Sequence, residues 1–282
     1  MTQAAEFGAE AVPAHPPSRR DRMRAATTEE IIQTARQLLV AGGPEAASLR
    51  AIAREMGMTA PGLYRYFGSH EELIRHVIAG IFTELAADIQ RAILSAVPPG
   101  DEPPGDEPPG DEPPADQPPG QLAAGKLGVK MAAACREFRR WALTHKAEFG
   151  LLFGVPLPGI DDGRYDIASE CAMAFAGTFY ALFLELWQRN PFPVPEASGI
   201  DPRLRDQLAR YRQKMGAQVP LGAVLTFLRC WTLLYGAVAM EVFGHMDFAL
   251  DDATPMFEIT LGDLAALLGL SYPPEPQAGA AR

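Results

Sequence analysis

The chain has 282 residues, a formal net charge of −10 and 48% hydrophobic residues, enough apolar content for one large core or two modest ones. No apolar run approaches the ~18 residues needed to cross a bilayer, so no membrane partner is expected. No positive start leads into an apolar stretch, so no secretory signal is expected either. Cys135, Cys171 and Cys230 are far apart and odd in number, and among their apolar neighbours they suit buried thiols in a reducing cytoplasm better than a disulfide framework.

The negative charge is unevenly placed. Residues 98–120 repeat Pro-Pro-Gly-Asp-Glu with small variations, and Asp101, Glu102, Asp106, Glu107, Asp111, Glu112 and Asp116 fall in that run. Setting these seven aside brings −10 to −3. From Ser18 to His70, by contrast, Arg19, Arg20, Arg22, Arg24, Arg36, Arg50, Arg54 and Arg65 face only Asp21, Glu29, Glu30, Glu45 and Glu55. Positive charge collects where a polyanion could dock.

In chain order, residues 1–23 read as a disordered arm, Ala/Pro-rich and then basic from Arg19 to Arg24. A phosphate-contacting arm and a plain solvated tail both fit that composition. Thr27-x-x-Glu30 is a capping box that would open the first helix, with Ile31, Ile32, Ala35, Leu38 and Leu39 inward and Gly42-Gly43-Pro44 as its stop. Ser48 can cap a second helix, whose Leu49, Ile52 and Ala53 recur at helical spacing. Gly57 can take the left-handed conformation that ends it, Thr59 can cap a third helix, and Pro61 falls in that helix's first turn. Two short helices joined through a glycine-containing turn make a helix-turn-helix over about 48–67, a unit able to place its second helix in a DNA major groove. Ser69-x-x-Glu72 is a further capping box. It opens a long fourth helix whose stripe of Leu73, Val77, Ile78, Ile81, Leu85, Ile89 and Ile93 runs to about Ala96.

Residues 97–120 form a Pro/Gly/acidic linker that cannot build a core, either an inert insertion or a partner-binding segment. From Gln121 to Gly154 the chain is helical again, and a break follows at Val155-Pro156-Leu157-Pro158-Gly159-Ile160. Asp166 to Gln188 is strongly apolar, 202–215 is polar, and Leu221 to His245 and Pro255 to Leu268 form two final apolar helices. Without alternating period-2 segments, the fold class is all-α.

Catalytic and metal patterns are lacking. Gly120-x-x-x-x-Gly125-Lys126 puts Leu127 where a phosphate-binding loop needs Ser or Thr, and Ile74 replaces the second histidine of a zinc-protease helix begun by His70-Glu71. His15, His76, His145 and His245 are scattered. Neither an enzyme, a cofactor nor a metal is expected.

Residues 24–85 resemble the DNA-binding domain of the tetracycline-repressor (TetR) family. The resemblance rests on Thr28 to Leu39, Ser48-Leu49-Arg50-x-Ile52-Ala53, Gly57-Met58-Thr59, Leu63-Tyr64-Arg65-Tyr66-Phe67 and Ser69-x-Glu71-Glu72-Leu73. It implies that Ser48 and Arg50 lie near the phosphate backbone, and that Thr59, Ala60, Pro61 and Gly62 open a recognition helix. Tyr64 and Tyr66 would offer hydroxyls to DNA, and Arg65 a guanidinium to a phosphate or guanine. His70 stands where a phosphate-binding lysine is common in the family. Leu63 and Phe67 read as core. Residues 121–272 resemble the family only in helical layout, which implies an effector-binding and dimerisation domain followed by a tail at 273–282. The implied partners are a double-stranded DNA operator, a small-molecule effector and a second copy docked through Phe227 to Phe243 and Phe257 to Leu268. Phe138, Trp141, Phe149, Phe175, Phe179, Trp187, Trp231 and Tyr235 either fill a helical core or line an apolar ligand cavity. The reading is therefore a transcriptional regulator, most simply a repressor, released from DNA by its effector. The alternative is a helical sensor or carrier with DNA contact secondary.

Overall fold

A computed structural model describes residues 18–96, 119–154, 166–216, 218–270 and 272. The arm before Ser18, the acidic repeat up to 118, the break at 155–160 and the tail at 273–282 lie outside the described residues. Those residues contain helices and no strand, and they divide into two compact units, 1–77 and 78–282.

In the first unit α1 spans Arg19–Gly42. It begins earlier than Thr27 because Ser18 and Asp21 form their own capping box: the Ser18 hydroxyl accepts from Asp21 N at 3.2 Å, and the Asp21 carboxylate accepts from Ser18 N at 3.1 Å. Arg19 to Arg24 are thus helical, which corrects the expectation of a disordered arm reaching residue 23. Thr27 and Thr28 instead hydrogen-bond back to the carbonyls of Met23 and Arg24. A 3-10 turn at Pro44–Ala47 leads into α2, Leu49–Glu55. Gly57, at φ +65°, closes α2: its N–H reaches Arg54 O, and Met58 N–H reaches Ala53 O at 2.8 Å. That doubled reversal satisfies two end carbonyls, and it needs a residue that tolerates the left-handed region. The short α3 follows at Ala60–Leu63, and α4 runs from His70 to Ser95. Ile31, Ala35, Ile52, Leu63 and Leu73 are wholly buried and make the small core.

The second unit contains the rest of α4, then α5 (Pro119–Thr144), α6 (Lys146–Phe153), α7 (Ile167–Arg189), α8 (Pro202–Lys214), α9 (Leu221–Val242) and α10 (Thr254–Leu267). Asp166 caps α7 by accepting from Ser169 N at 2.9 Å. The polar 202–215 stretch is helix, capped by Asp201. Phe138 on α5 lies within ring-contact distance of Phe149 and Phe153 on α6, Phe175 and Phe179 on α7, and Trp231 on α9. Two arginines one turn apart fasten α5 to the last helices. Arg139 makes a forked ion pair with Glu241 at 2.6 and 2.7 Å and also donates to Thr254; Arg136 makes a forked pair with Glu258 at 2.8 and 3.0 Å and also donates to the Tyr272 hydroxyl. The forked geometry matches guanidinium to carboxylate at two points, which fixes helix position as well as charge.

By length and composition α7 and α9 could each cross a membrane. This corrects the expectation that no segment approaches that length. The cause is interspersed small and weakly polar residues, which break the visible run without lowering its average. Core helices share that composition, and both bury large side chains in the unit, among them Phe183 and Leu186 on α7 and Leu234 and Val238 on α9.

The Gly57 turn generates a stability prediction. Gly57→Ala adds a Cβ in the left-handed region with no neighbouring atom in the way, so its cost is conformational. It is expected to destabilise the first unit by about 1–2 kcal/mol. Urea unfolding followed by circular dichroism checks this, and Gly80→Ala, a mid-helix exposed glycine, should stabilise by about 0.5–1 kcal/mol.

Candidate nucleic-acid interface and ligand cavity

The helix-turn-helix is held from beneath by Leu49, Ile52, Ala53, Leu63 and Phe67, all buried. That leaves the opposite side of the same residues facing out. Ser48 and Arg50 are exposed at the start of α2, where the Ser48 hydroxyl accepts from Ala51 N at 3.3 Å. Thr59 is exposed and caps α3 by accepting from Gly62 N at 3.3 Å. Pro61, Tyr64 and Arg65 are exposed, and Ala60 and Gly62 are half-buried. Tyr64, at 54% exposure, is among the large side chains left outside the core although it sits between buried Leu63 and half-buried Tyr66.

Tyr66 and His70 serve the fold as well. His70 Nε2 lies 3.0 Å from Ala47 O. A carbonyl can only accept, so that nitrogen carries hydrogen and the ring pins the start of α4 to the residue before Ser48. Nδ1 is the ring nitrogen left outside that bond. The guanidinium of Arg24 lies over the Tyr66 ring at 5.7 Å, and its Nη2 donates to Arg65 O at 3.1 Å. Arg24 therefore braces the end of the recognition segment from α1. Sequence reading placed it in a basic arm; nothing in the sequence marks a contact 41 residues away.

The second unit holds a cavity of about 340 Å³ bounded by α5, α7, α9 and α10 and by Leu270 and Tyr272 beyond them. Of the aromatic residues singled out from sequence, Phe179 and Trp231 line it. Phe138, Phe149 and Phe175 are buried against other aromatic rings instead, and Trp141 is buried with its ring stacked on His145. Trp187 packs edge-on against Phe192, and the Tyr235 hydroxyl donates to Phe153 O at 2.7 Å. The sequence reading missed Leu261, Leu264 and Leu268, whose helical spacing it assigned to a dimer face. They point inward. Met256 and Ile259 on α10, and Leu233 and Met240 on α9, are the large apolar residues left exposed there. One amphipathic helix thus has two apolar faces, and periodicity shows only their sum.

Burial pushes the Cys135 thiol up to about 12 and the Cys230 thiol to about 11, so both stay protonated at neutral pH. Glu258 lies below the usual carboxylate range, chiefly because Arg136 hydrogen-bonds its charged form, with Tyr272 adding a further bond.

The first unit is thus that of a helix-turn-helix DNA-binding protein, with its second helix short, capped and exposed. Comparison with known proteins agrees. The family model for bacterial regulatory proteins of the tetR family matches residues 31–77, and that for the tetracyclin repressor-like C-terminal domain matches 131–264. HTH-type transcriptional regulators of Mycobacterium tuberculosis and Mycobacterium bovis are 28% identical over 225 residues, covering 77% of this chain and 80% of theirs. Among solved structures, the regulatory protein SCO4313 superposes with a TM-score of 0.62 at 26% identity, covering 88% of this chain and all of that one. A protein of unknown function from Rhodococcus sp. RHA1 shares the fold, at a TM-score of 0.54 and 17% identity over 92% of this chain and 98% of its own. The chain belongs to the TetR family of transcriptional regulators, and it is a DNA-binding regulator.

The Arg136–Glu258 pair predicts an acid limb in stability. A carboxylate whose folded pKa is depressed contributes stability that is complete above its unfolded value of 4.5 and is lost as pH falls from there through the folded value. Glu258→Gln is expected to cost about 1–2 kcal/mol at pH 7. The gap from wild type should close as pH falls from about 5 towards 3, measured by urea denaturation across that range.

Proposed function

We propose that the protein reads a palindromic operator as a homodimer, with residues 24–85 as its DNA-reading domain and 121–272 as its effector-binding and dimerisation domain. The observation that carries this is the exposure of Tyr64 and Arg65 at the end of a capped helix whose other side is core. In this reading Ser48, Arg50, Thr59, Tyr64, Tyr66 and His70 position the protein on phosphates, and Arg65 reaches a phosphate or a base edge. Ala60, Pro61 and Gly62 cannot donate side-chain hydrogen bonds, so specificity rests on Arg65, thymine methyl contacts and DNA shape. The exposed faces of α9 and α10, with Leu233, Met240, Met256 and Ile259, meet their symmetry mates as a four-helix bundle. Two half-sites would then be read about 34–36 Å apart.

A ligand in the cavity acts on DNA affinity through packing. Phe179 lines the cavity and meets Phe175 at 5.7 Å, and Phe175 meets Phe82 of α4 at 5.7 Å. Moving that row of rings moves α4. A ligand favouring the non-DNA conformer by ~3 kcal/mol lowers DNA affinity about a hundredfold, and DNA lowers ligand affinity equally.

Three measurements test this. In a shift titration on the intergenic DNA beside its own gene, Tyr64→Ala and Arg65→Ala should each weaken binding about 5- to 100-fold with unchanged melting temperature; retained affinity in both sinks the DNA-reading surface. Ile259→Glu should convert a dimer to a monomer in sedimentation at micromolar concentration, and a monomeric wild type removes the two-half-site geometry. Phe175→Leu should keep both binding activities and lessen their coupling.

A further inference from the structure

We infer that the cavity takes an uncharged, lipophilic small molecule; this deepens the effector reading above and rests on it. Among the described residues, Arg136 is the one charged side chain lining the cavity, and its charge is already answered. Glu258 accepts from Nε and Nη2, and the Tyr272 hydroxyl accepts from Nη2 while donating to Glu258. The Tyr272 ring also lies beside the guanidinium, 5.6 Å from its carbon. An anionic ligand at that end would meet the Glu258 carboxylate or have to displace it, at the expense of the tie between α5 and α10. A cationic ligand would meet Arg136. Either ion would also leave water for a wall of Phe, Leu, Val, Met and Ala side chains, and transferring an unpaired charge into such a wall is strongly unfavourable. The two thiols in the wall are protonated at neutral pH and offer no counter-charge.

What remains favourable is apolar surface. Phe179, Phe183, Phe227 and Trp231 supply ring faces and edges from two helices, and Leu261, Leu264 and Leu268 supply a branched aliphatic wall from a third. The volume of about 340 Å³ is at the small end of ligand pockets, which run from about 300 to 1,000 Å³. It suits a molecule of one to two fused rings with a substituent, or a folded medium-length chain. Leu270 approaches Gly128 at a distance where an added Cβ would touch its methyls, so the chain after α10 forms part of the enclosure.

The test is a pair of probes on the full-length protein differing chiefly in charge. N-phenyl-1-naphthylamine is neutral, and 8-anilino-1-naphthalenesulfonate has the same rings with a sulfonate. The neutral dye should bind with one site per chain and at least tenfold more tightly than the sulfonate. 1-Decanol should displace it, and decanoate at the same concentration should not. Ala132→Trp, which fills the cavity from α5, should abolish the site while leaving far-ultraviolet circular dichroism intact. Met131→Lys, which adds a cation to the lining, should narrow or invert the preference between the dyes. Equal or tighter binding of the sulfonate, displacement by decanoate, or neutral-dye binding unchanged in Ala132→Trp overturns the inference. Fluorescence anisotropy of the labelled intergenic DNA reads the effector role separately. Selective dye binding in the cavity without DNA release upholds the ligand class and refutes the regulatory role.

Discussion

The second unit depends on the burial of one ring. Phe138 has no exposed surface, and the aromatic groups it touches come from α6, α7 and α9. Edge-on and tilted contacts of this kind add about 0.5–1.5 kcal/mol per pair beyond the area they bury. They also set helix spacing, because a ring cannot be compressed. Around this hub the cavity and the row of rings leading to α4 are two consequences of the same packing.

The polar ties sit at the edge of that hub. Arg136 and Arg139 leave α5 on one face and take carboxylates from α10 and α9 in turn. Both pairs are partly shielded from solvent, with side-chain exposures between 15 and 28%. They therefore resist salt better than surface pairs, and removing one partner would leave the other charge stranded. Their forked geometry gives α9 and α10 a defined place over the cavity, a matter of specificity more than of net stability.

The first unit solves a different problem. A short helix must be offered outward without unfolding, although four residues of helix have little stability of their own. Its support is external: a glycine reversal and a threonine cap before it, Leu63 and Phe67 beneath it, and Arg24 and His70 bracing it from α1 and α4.

Most of the first unit was legible because its determinants are local. Ser48, Gly57, Thr59 and Ser69 act on neighbours within about four residues, and Leu49, Ile52, Ala53 and Leu63 repeat at helical spacing. At the start of α1 the sequence reading took Thr27 as the cap, and the Ser18–Asp21 capping box nine residues upstream set the helix start instead. Which aromatic side chains face a cavity, which leucines of α10 point inward, and which carboxylate answers Arg136 were decided only by tertiary packing. The partners are 122 residues apart for Arg136–Glu258, and a buried face looks the same in sequence whether it meets a neighbouring ring, a cavity or a second chain.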